Sequence, residues 1–496
     1  MKNLKNILCM AIMLLTSITA SAQLERPRLV VGLVVDQMRW DYMYYYYNDY
    51  GEGGIKRLLK DGFSCENTMI PYVPTITAIG HASIYTGSTP AMHGICGNHF
   101  YIDGQRVYCC DDSTVQTVGS DTKYGKMSPR NMMASTIGDE LKIATNYQAK
   151  VIGVSIKDRA AILPAGHAAD AAYWWDKKAE AFISSTFYMQ QLPQWVQKFN
   201  KKHKGFVETE PIRSPKGVTL TFEMAAAALE NEKMGQDDVT DLLAVSISST
   251  DGIGHEFSTR GPENKAAYMN LDKGLEKFFN LLDKKVGRGN WLFFISADHG
   301  AAHNYNQLKE QRIPAGAFEA WKQMKPLNEY LQQKFQTTEN LLVGYNTSRI
   351  YLDRKNIRKL GLKLDDVKRE AIDWLRQDAR YEYVIDFERA QEATIPAVLR
   401  QRLCNGYNYH RSGDIITILR PQVLLSDDSP NYKGTTHGAW NPYDAHIPCV
   451  FMGWHIEPGQ TNVPTYMTDI APTICALLHI EVPNACIGTP ITAITK

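Results

Sequence analysis

Three carboxylates and three imidazoles stand out in this sequence because of where they fall. Asp251-Gly-Ile-Gly-His255 spaces a carboxylate and an imidazole four residues apart, which brings both to one side of the chain if that turn is helical. Asp298-His299 is an adjacent pair followed by Gly300-Ala301-Ala302, residues small enough to let a ligand approach. Asp36 closes an apolar run, and His437 lies in Gly434-Thr-Thr-His437-Gly438, a loop composition. Taken singly, each histidine reads more simply as a hydrogen-bonded loop residue. As a set, oxygen and nitrogen donors of this kind suit zinc in a catalytic site, and also accommodate manganese, cobalt or iron.

Two further groups of residues could act on an anionic substrate. Thr75 and Thr77 follow Pro74, and residues 78–85 read as a helix. A threonine there sits at a helix amino end, where backbone N–H groups favour negative charge and ease formation of an alkoxide. Spacing does not choose between the two, and an N-cap threonine is the bland reading of either. Lys157 and Arg159 stand two apart at the end of an apolar run, so a strand there points them to one face. Two fixed cations reward a doubly charged phosphate monoester more than a singly charged diester, which also needs room for a second substituent. The alternative is a solvated charged turn.

These residues need elements to position them. Leu29–Val35, Val151–Ile156, Leu242–Ile247 and Leu292–Ala297 are short apolar, β-branched runs that end abruptly at or just before Asp36, Lys157, Asp251 and Asp298. Such runs suit strands covered on both faces, as in parallel sheets. Helical patterns lie between them, at residues 54–59, 135–143 and 268–282. The alternation predicts an α/β fold, a doubly wound, mostly parallel sheet between helices, with ligands bound beyond the carboxyl ends of the strands. Residues 171–238 and 304–430 read as inserted lobes framing the site. The second contains a mixed region near 340–352, an amphipathic helix near 365–377 and a strand-like run at 414–419.

Composition narrows the setting. Lys2 and Lys5, an apolar run from Ile7 to Leu15 and the ending Ala20-Ser21-Ala22 form a secretory signal peptide over residues 1–22, with the exported chain starting near Gln23 and no membrane insertion after cleavage. A periplasmic or secreted location follows. The formal charge of +1 falls to about −1 once that segment is removed, which leaves no footprint for nucleic acid. Eight cysteines remain, an even number in a compartment that permits disulfides, and no Cys-x-x-Cys occurs. Nothing assigns a protein partner, so a monomer is the simplest expectation.

In motif order the chain resembles the alkaline phosphatase superfamily, and within it the phosphate-irrepressible alkaline phosphatases of the PafA type, relatives of the type I phosphodiesterase/nucleotide pyrophosphatases. The likeness runs through Val-Val-Asp36-Gln, Pro74-Thr-Ile-Thr77-Ala-Ile-Gly-His-Ala-Ser, His93-Gly-Ile-Cys-Gly-Asn98, Lys157-Asp-Arg159, Thr250-Asp251-Gly-Ile-Gly-His255, Ala297-Asp298-His299-Gly and Gly434-Thr-Thr-His437-Gly. It implies two zinc ions per chain, one held by Asp251, His255 and His437 and the other by Asp36, Asp298 and His299. Thr77 is then the nucleophile at the second metal, while Asn98, Lys157 and Arg159 bind phosphate. The activity so implied is hydrolysis of small phosphate monoesters through a phosphothreonine intermediate. A phosphodiesterase or nucleotide pyrophosphatase on the same two-metal core is the nearest rival, and a non-catalytic periplasmic metal or phosphate binder is the rival from another class. A sulfatase would need a Cys-x-Pro-x-Arg or Ser-x-Pro-x-Arg motif, absent here. Export and a threonine in place of serine disfavour a cofactor-independent phosphoglycerate mutase. His81, His93, His303 and His446 lie near the motifs without an assigned ligand role.

Overall fold

The computed structural model describes residues 25–205 and 210–495; the expected signal peptide lies outside them. Six strands organise the core: β1 (Leu29–Val35), β2 (Val151–Ser155), β3 (Ala171–Asp176), β4 (Asp241–Ile247), β5 (Trp291–Ser296) and β6 (Cys449–Gly453). β1 lies between β4 and β5, parallel to both; β2 continues the parallel order beside β4, and β3 beside β2. Antiparallel β6 closes the other side against β5. Short edge strands complete a ten-stranded sheet. All seven residues of β1 are buried, so the sheet is covered on both faces, which is why its sequence is continuously apolar rather than alternating. Each of its Val and Leu side chains contributes about 1.5–3 kcal/mol by leaving water.

Register explains how the polar residues meet. Val35 pairs with Ile247 and Val34 with Ser296, so the chain emerges from β1, β4 and β5 at one edge, with Asp36 and Asp298 level with each other. Ser246 pairs with Ser155, which brings Lys157 to the same edge. Three helices begin there: α1 (Thr77–Thr86), α2 (Asp158–Ala165) and α3 (Ser249–Phe257). Helix α1 approaches the β5 end so closely that a Cβ on Gly80 would lie 2.4 Å from the Asp298 carbonyl oxygen. Only glycine allows that contact.

Residues 171–238, read above as an insertion, place β3 and its antiparallel neighbour Ala181–Ser185 within the main sheet. Tyr173 and Trp174 are fully buried there and belong to the core. Within residues 304–430 a separate four-stranded antiparallel sheet forms, in the order Leu342–Asn346, Arg349–Leu352, Ile415–Leu419, Tyr381–Asp386. Helices Met324–Lys334 and Leu364–Leu375 cover it through an apolar cluster that includes Leu331, Ile350, Val367 and Leu375. No helix among the described residues is long and apolar enough to cross a membrane.

Candidate metal centre and nucleophile

Helix α3 carries Asp251 and His255 on one face, with His255 Nε2 3.1 Å from Asp251 Oδ1. From the loop before β6, His437 brings its Nε2 to 3.7 Å from the same oxygen. His299 Nε2 lies 3.3 Å from Asp298 Oδ2 and 3.6 Å from Asp36 Oδ1, and its ring stacks on that of His437 at 3.5 Å. The donors form two groups whose ligand atoms all lie within 4.8 Å of one another: Asp251, His255 and His437 in one, Asp36, Asp251 and His299 in the other. Asp251 thus belongs to both. Asp298 stands just outside the second group; its Oδ1 accepts from the backbone N–H groups of Gln37 (3.1 Å) and His299 (3.0 Å), leaving Oδ2 turned to the imidazoles.

Do these donors fit a metal ion? Nδ1 of each histidine faces a backbone carbonyl: Thr435 O for His255 (2.9 Å), Thr75 O for His437 (2.7 Å) and Gly300 O for His299 (3.0 Å). A carbonyl only accepts, so Nδ1 holds the proton and Nε2 presents its lone pair inward, the arrangement that orients a ligating imidazole. Asp36 Oδ1 and Asp298 Oδ2 are buried without a hydrogen-bond partner, an expensive state for a carboxylate unless a cation relieves it. Burial, then the charges of Asp251 and Asp298, push the Asp36 carboxyl well above its usual range. Burial, then the neighbouring His299, holds His437 well below the usual imidazole range, in the neutral form that ligates. A divalent cation suits the charge deficit and the donors alike. Part of the deficit is met by Lys157, whose Nζ lies 2.7 Å from Asp36 Oδ2 and 2.5 Å from Asp251 Oδ2.

The two threonines left open by spacing have different surroundings. Thr77 is the first residue of α1, buried, with its hydroxyl 3.4 Å from His299 Nε2. Thr75 instead donates its hydroxyl to the Ala439 carbonyl (3.0 Å) and accepts from the Gly438 N–H (3.1 Å), so it ties the chain before α1 to the His437 loop. Asn98 Oδ1 accepts the Ala78 N–H at 3.1 Å, which sets this side chain beside the start of α1. Lys157 and Arg159 do not owe their closeness to strand alternation. β2 ends at Ser155, Lys157 is the N-cap of α2 and Arg159 lies in its first turn. Arg159 Nη1 donates to Tyr108 Oη at 3.2 Å, while its Nε is buried without a partner.

Residues 30–440 match the family model of type I phosphodiesterase / nucleotide pyrophosphatase. The chain is 43% identical to alkaline phosphatase PafA of Elizabethkingia meningoseptica, over 95% of this chain and 94% of that one. The crystal structure of wild-type alkaline phosphatase PafA is similar with a TM-score of 0.91 at 43% identity, covering 96% of this chain and 100% of the other. The chain belongs to the PafA-type alkaline phosphatases. A Myroides odoratus protein named a calcium-transporting ATPase is 46% identical over 96% of both chains. Murine ectonucleotide pyrophosphatase / phosphodiesterase 5 shares the fold, with a TM-score of 0.55 at 15% identity.

This alkaline phosphatase surrounds its site with residues that had no role in the sequence reading. Gln37 donates Nε2 to Asp251 Oδ1 at 2.7 Å and holds a left-handed φ of 65°. Its Oε1 would lie 1.8 Å from a Cβ on Gly254, so the glycine of the Asp251-Gly-Ile-Gly motif makes room for it. Tyr108 donates to Asp158 Oδ1 at 2.5 Å while accepting from Arg159, which fixes the guanidinium. His81, one turn after Thr77, bonds the Thr77 carbonyl (2.9 Å) and Ser246 Oγ (2.8 Å) and lies 3.4 Å from Asp298 Oδ2. His93, His303 and His446 bond Ser83, Thr259 and the Glu66 carbonyl.

Proposed function

We propose that this alkaline phosphatase hydrolyses phosphate monoesters by passing the phosphoryl group first to Thr77 and then to water. The observation that carries the reading is the Thr77 hydroxyl at a helix start, 3.4 Å from His299 Nε2 and beside two ligand groups that share Asp251. Asp251, His255 and His437 would hold one zinc ion and Asp36, Asp298 and His299 the other, with Asp251 close to both. Bound there, the ions lower the pKa of a hydroxyl or water and offset charge on the oxygens entering and leaving phosphorus. Thr77, its proton released to solvent at the positive end of α1, forms its Oγ–P bond as the bond from phosphorus to the ester oxygen breaks; the leaving oxygen takes a proton from water, and the hydroxide left neutralises the proton that Thr77 gave up. Attack by a second water on phosphothreonine releases inorganic phosphate and restores the hydroxyl. Asn98, Lys157 and Arg159 donate to the non-bridging oxygens throughout.

Two cations beside one phosphoryl group favour a doubly charged substrate. Lys157→Ala is expected to lower kcat/KM for a monoaryl phosphate by about a hundredfold, and far less for a bis(aryl) phosphate. Steady-state kinetics on both esters check this, and a wild type that prefers the diester would return the diesterase reading that the family model's description suggests. ATP belongs in the same panel, given the name of the Myroides relative. Export is part of the proposal: the mature chain from the bacterial envelope should begin near Gln23, which intact-mass measurement reads directly.

A further inference from the structure

The hairpin formed by Leu342–Asn346 and Arg349–Leu352 belongs to the second sheet, yet its turn reaches back to the segment that carries Asn98. The Asn346 side-chain amide donates to the His99 carbonyl, and Arg349 Nη1 donates to the Cys96 carbonyl. These acceptors bracket Asn98 on both sides. Gly97 runs directly over the guanidinium, since a Cβ there would lie 2.6 Å from Arg349 Nη2. On its other face Asn98 is held by the Cys109 N–H on its carbonyl (3.0 Å) and by the Ala78 N–H on Oδ1 (3.1 Å), one residue from Thr77.

Two features show that this link is maintained against opposing costs. Arg349 is fully buried, forms no ion pair among the described residues and keeps Nη2 without a hydrogen-bond partner. A guanidinium served only by carbonyl oxygens is an unfavourable group to bury. The turn residues Thr347 and Ser348 have φ of 43° and 65°, the left-handed region that a β-branched side chain resists. The costs fall on Arg349 itself and on Thr347 and Ser348, the turn that joins it to Asn346.

We propose that Asn346 and Arg349 are positioning residues for Asn98, clamping its backbone so that its side chain meets the phosphoryl oxygens beside Thr77. The proposal rests on the reading of Asn98 as a phosphate-binding group. The test uses the zinc-loaded full chain and a double-mutant cycle: Asn346→Ala and Arg349→Lys, each alone and combined with Asn98→Ala, assayed for kcat and KM on a monoaryl phosphate and for inhibition by inorganic phosphate. Asn346→Ala is expected to lower kcat/KM about tenfold and weaken phosphate inhibition in parallel, and to change either by less than about twofold once Asn98 is alanine. Equal losses in both backgrounds, or no loss in the single variants, would overturn the clamp alone. An Asn98→Ala enzyme with unchanged kinetics and phosphate inhibition would overturn the phosphate-binding reading and the clamp with it. Asn346→Ala leaves the buried guanidinium in place, so the cycle remains decisive if Arg349→Lys does not fold.

Discussion

Thr77→Ala is expected to lower kcat/KM for a monoaryl phosphate by about a thousandfold or more, and to abolish any acid-stable phosphoenzyme. Removing a nucleophile takes away the covalent route and leaves only the residual catalysis of the positioned charges around it. The Thr77 hydroxyl contacts His299 Nε2 at 3.4 Å, a long hydrogen bond that adds little to the stability of the fold. Folding should therefore be little disturbed, and thermal unfolding measured beside the kinetics separates the two effects. Thr77→Ser keeps the oxygen and should retain a phosphoenzyme that acid quench and mass spectrometry detect on residue 77. Thr75→Ala should show the converse pattern, a loss of about 1 kcal/mol in stability from the Ala439 and Gly438 hydrogen bonds, with a smaller kinetic effect. Wild-type turnover in Thr77→Ala would sink the nucleophile assignment.

The sheet was legible because its strands are buried on both faces. Leu29–Val35 has no reason to alternate when every residue is covered, and a continuous β-branched run that stops at a carboxylate is a strong signal of a strand ending at a ligand site. Asp251 and His255 were legible by their helical spacing, and α3 does put them on one face. The different surroundings of Thr75 and Thr77 were not, because both lie at the start of α1 and what sets Thr75 apart is the Gly438–Ala439 loop more than 360 residues away. Gln37, Tyr108 and the Asn346–Arg349 turn escaped for the same reason. Each is an uncharged polar side chain or a lone cation with no periodicity, and its partners lie far along the chain, on helices α3 and α2 or in the segment that carries Asn98. For Lys157 and Arg159 the strand geometry expected from their spacing does not hold, since a strand that stops two residues earlier hands both to a helix start.

Asp251→Asn is the metal-ligand change expected to cost most, because this carboxylate serves both groups of donors. Its Oδ1 lies 3.1 Å from His255 Nε2 and 3.7 Å from His437 Nε2, and the same residue completes the group of Asp36 and His299. Asparagine preserves shape while removing the charge and replacing one oxygen by an N–H2 group that cannot ligate, so the site of His255 and His437 loses a donor and the neighbouring site of Asp36, Asp298 and His299 loses a nearby negative charge. Dialysed protein is then expected to hold less than one zinc per chain by mass spectrometry, with monoesterase activity down about a thousandfold and not restored by moderate excess zinc. His255→Ala makes the contrast, since its side chain is 41% exposed at the mouth of the site and belongs to only one group. It should release about one ion and keep the other, with activity partly recovered at high zinc. Loss of bound metal should also lower the melting temperature, because ions that bind only the folded chain stabilise it by mass action, and a chelator should bring wild type down to the Asp251→Asn value. Full metal content and activity in Asp251→Asn would show that Asp251 is not a ligand, and the assignment of the ion to Asp251, His255 and His437 would fall.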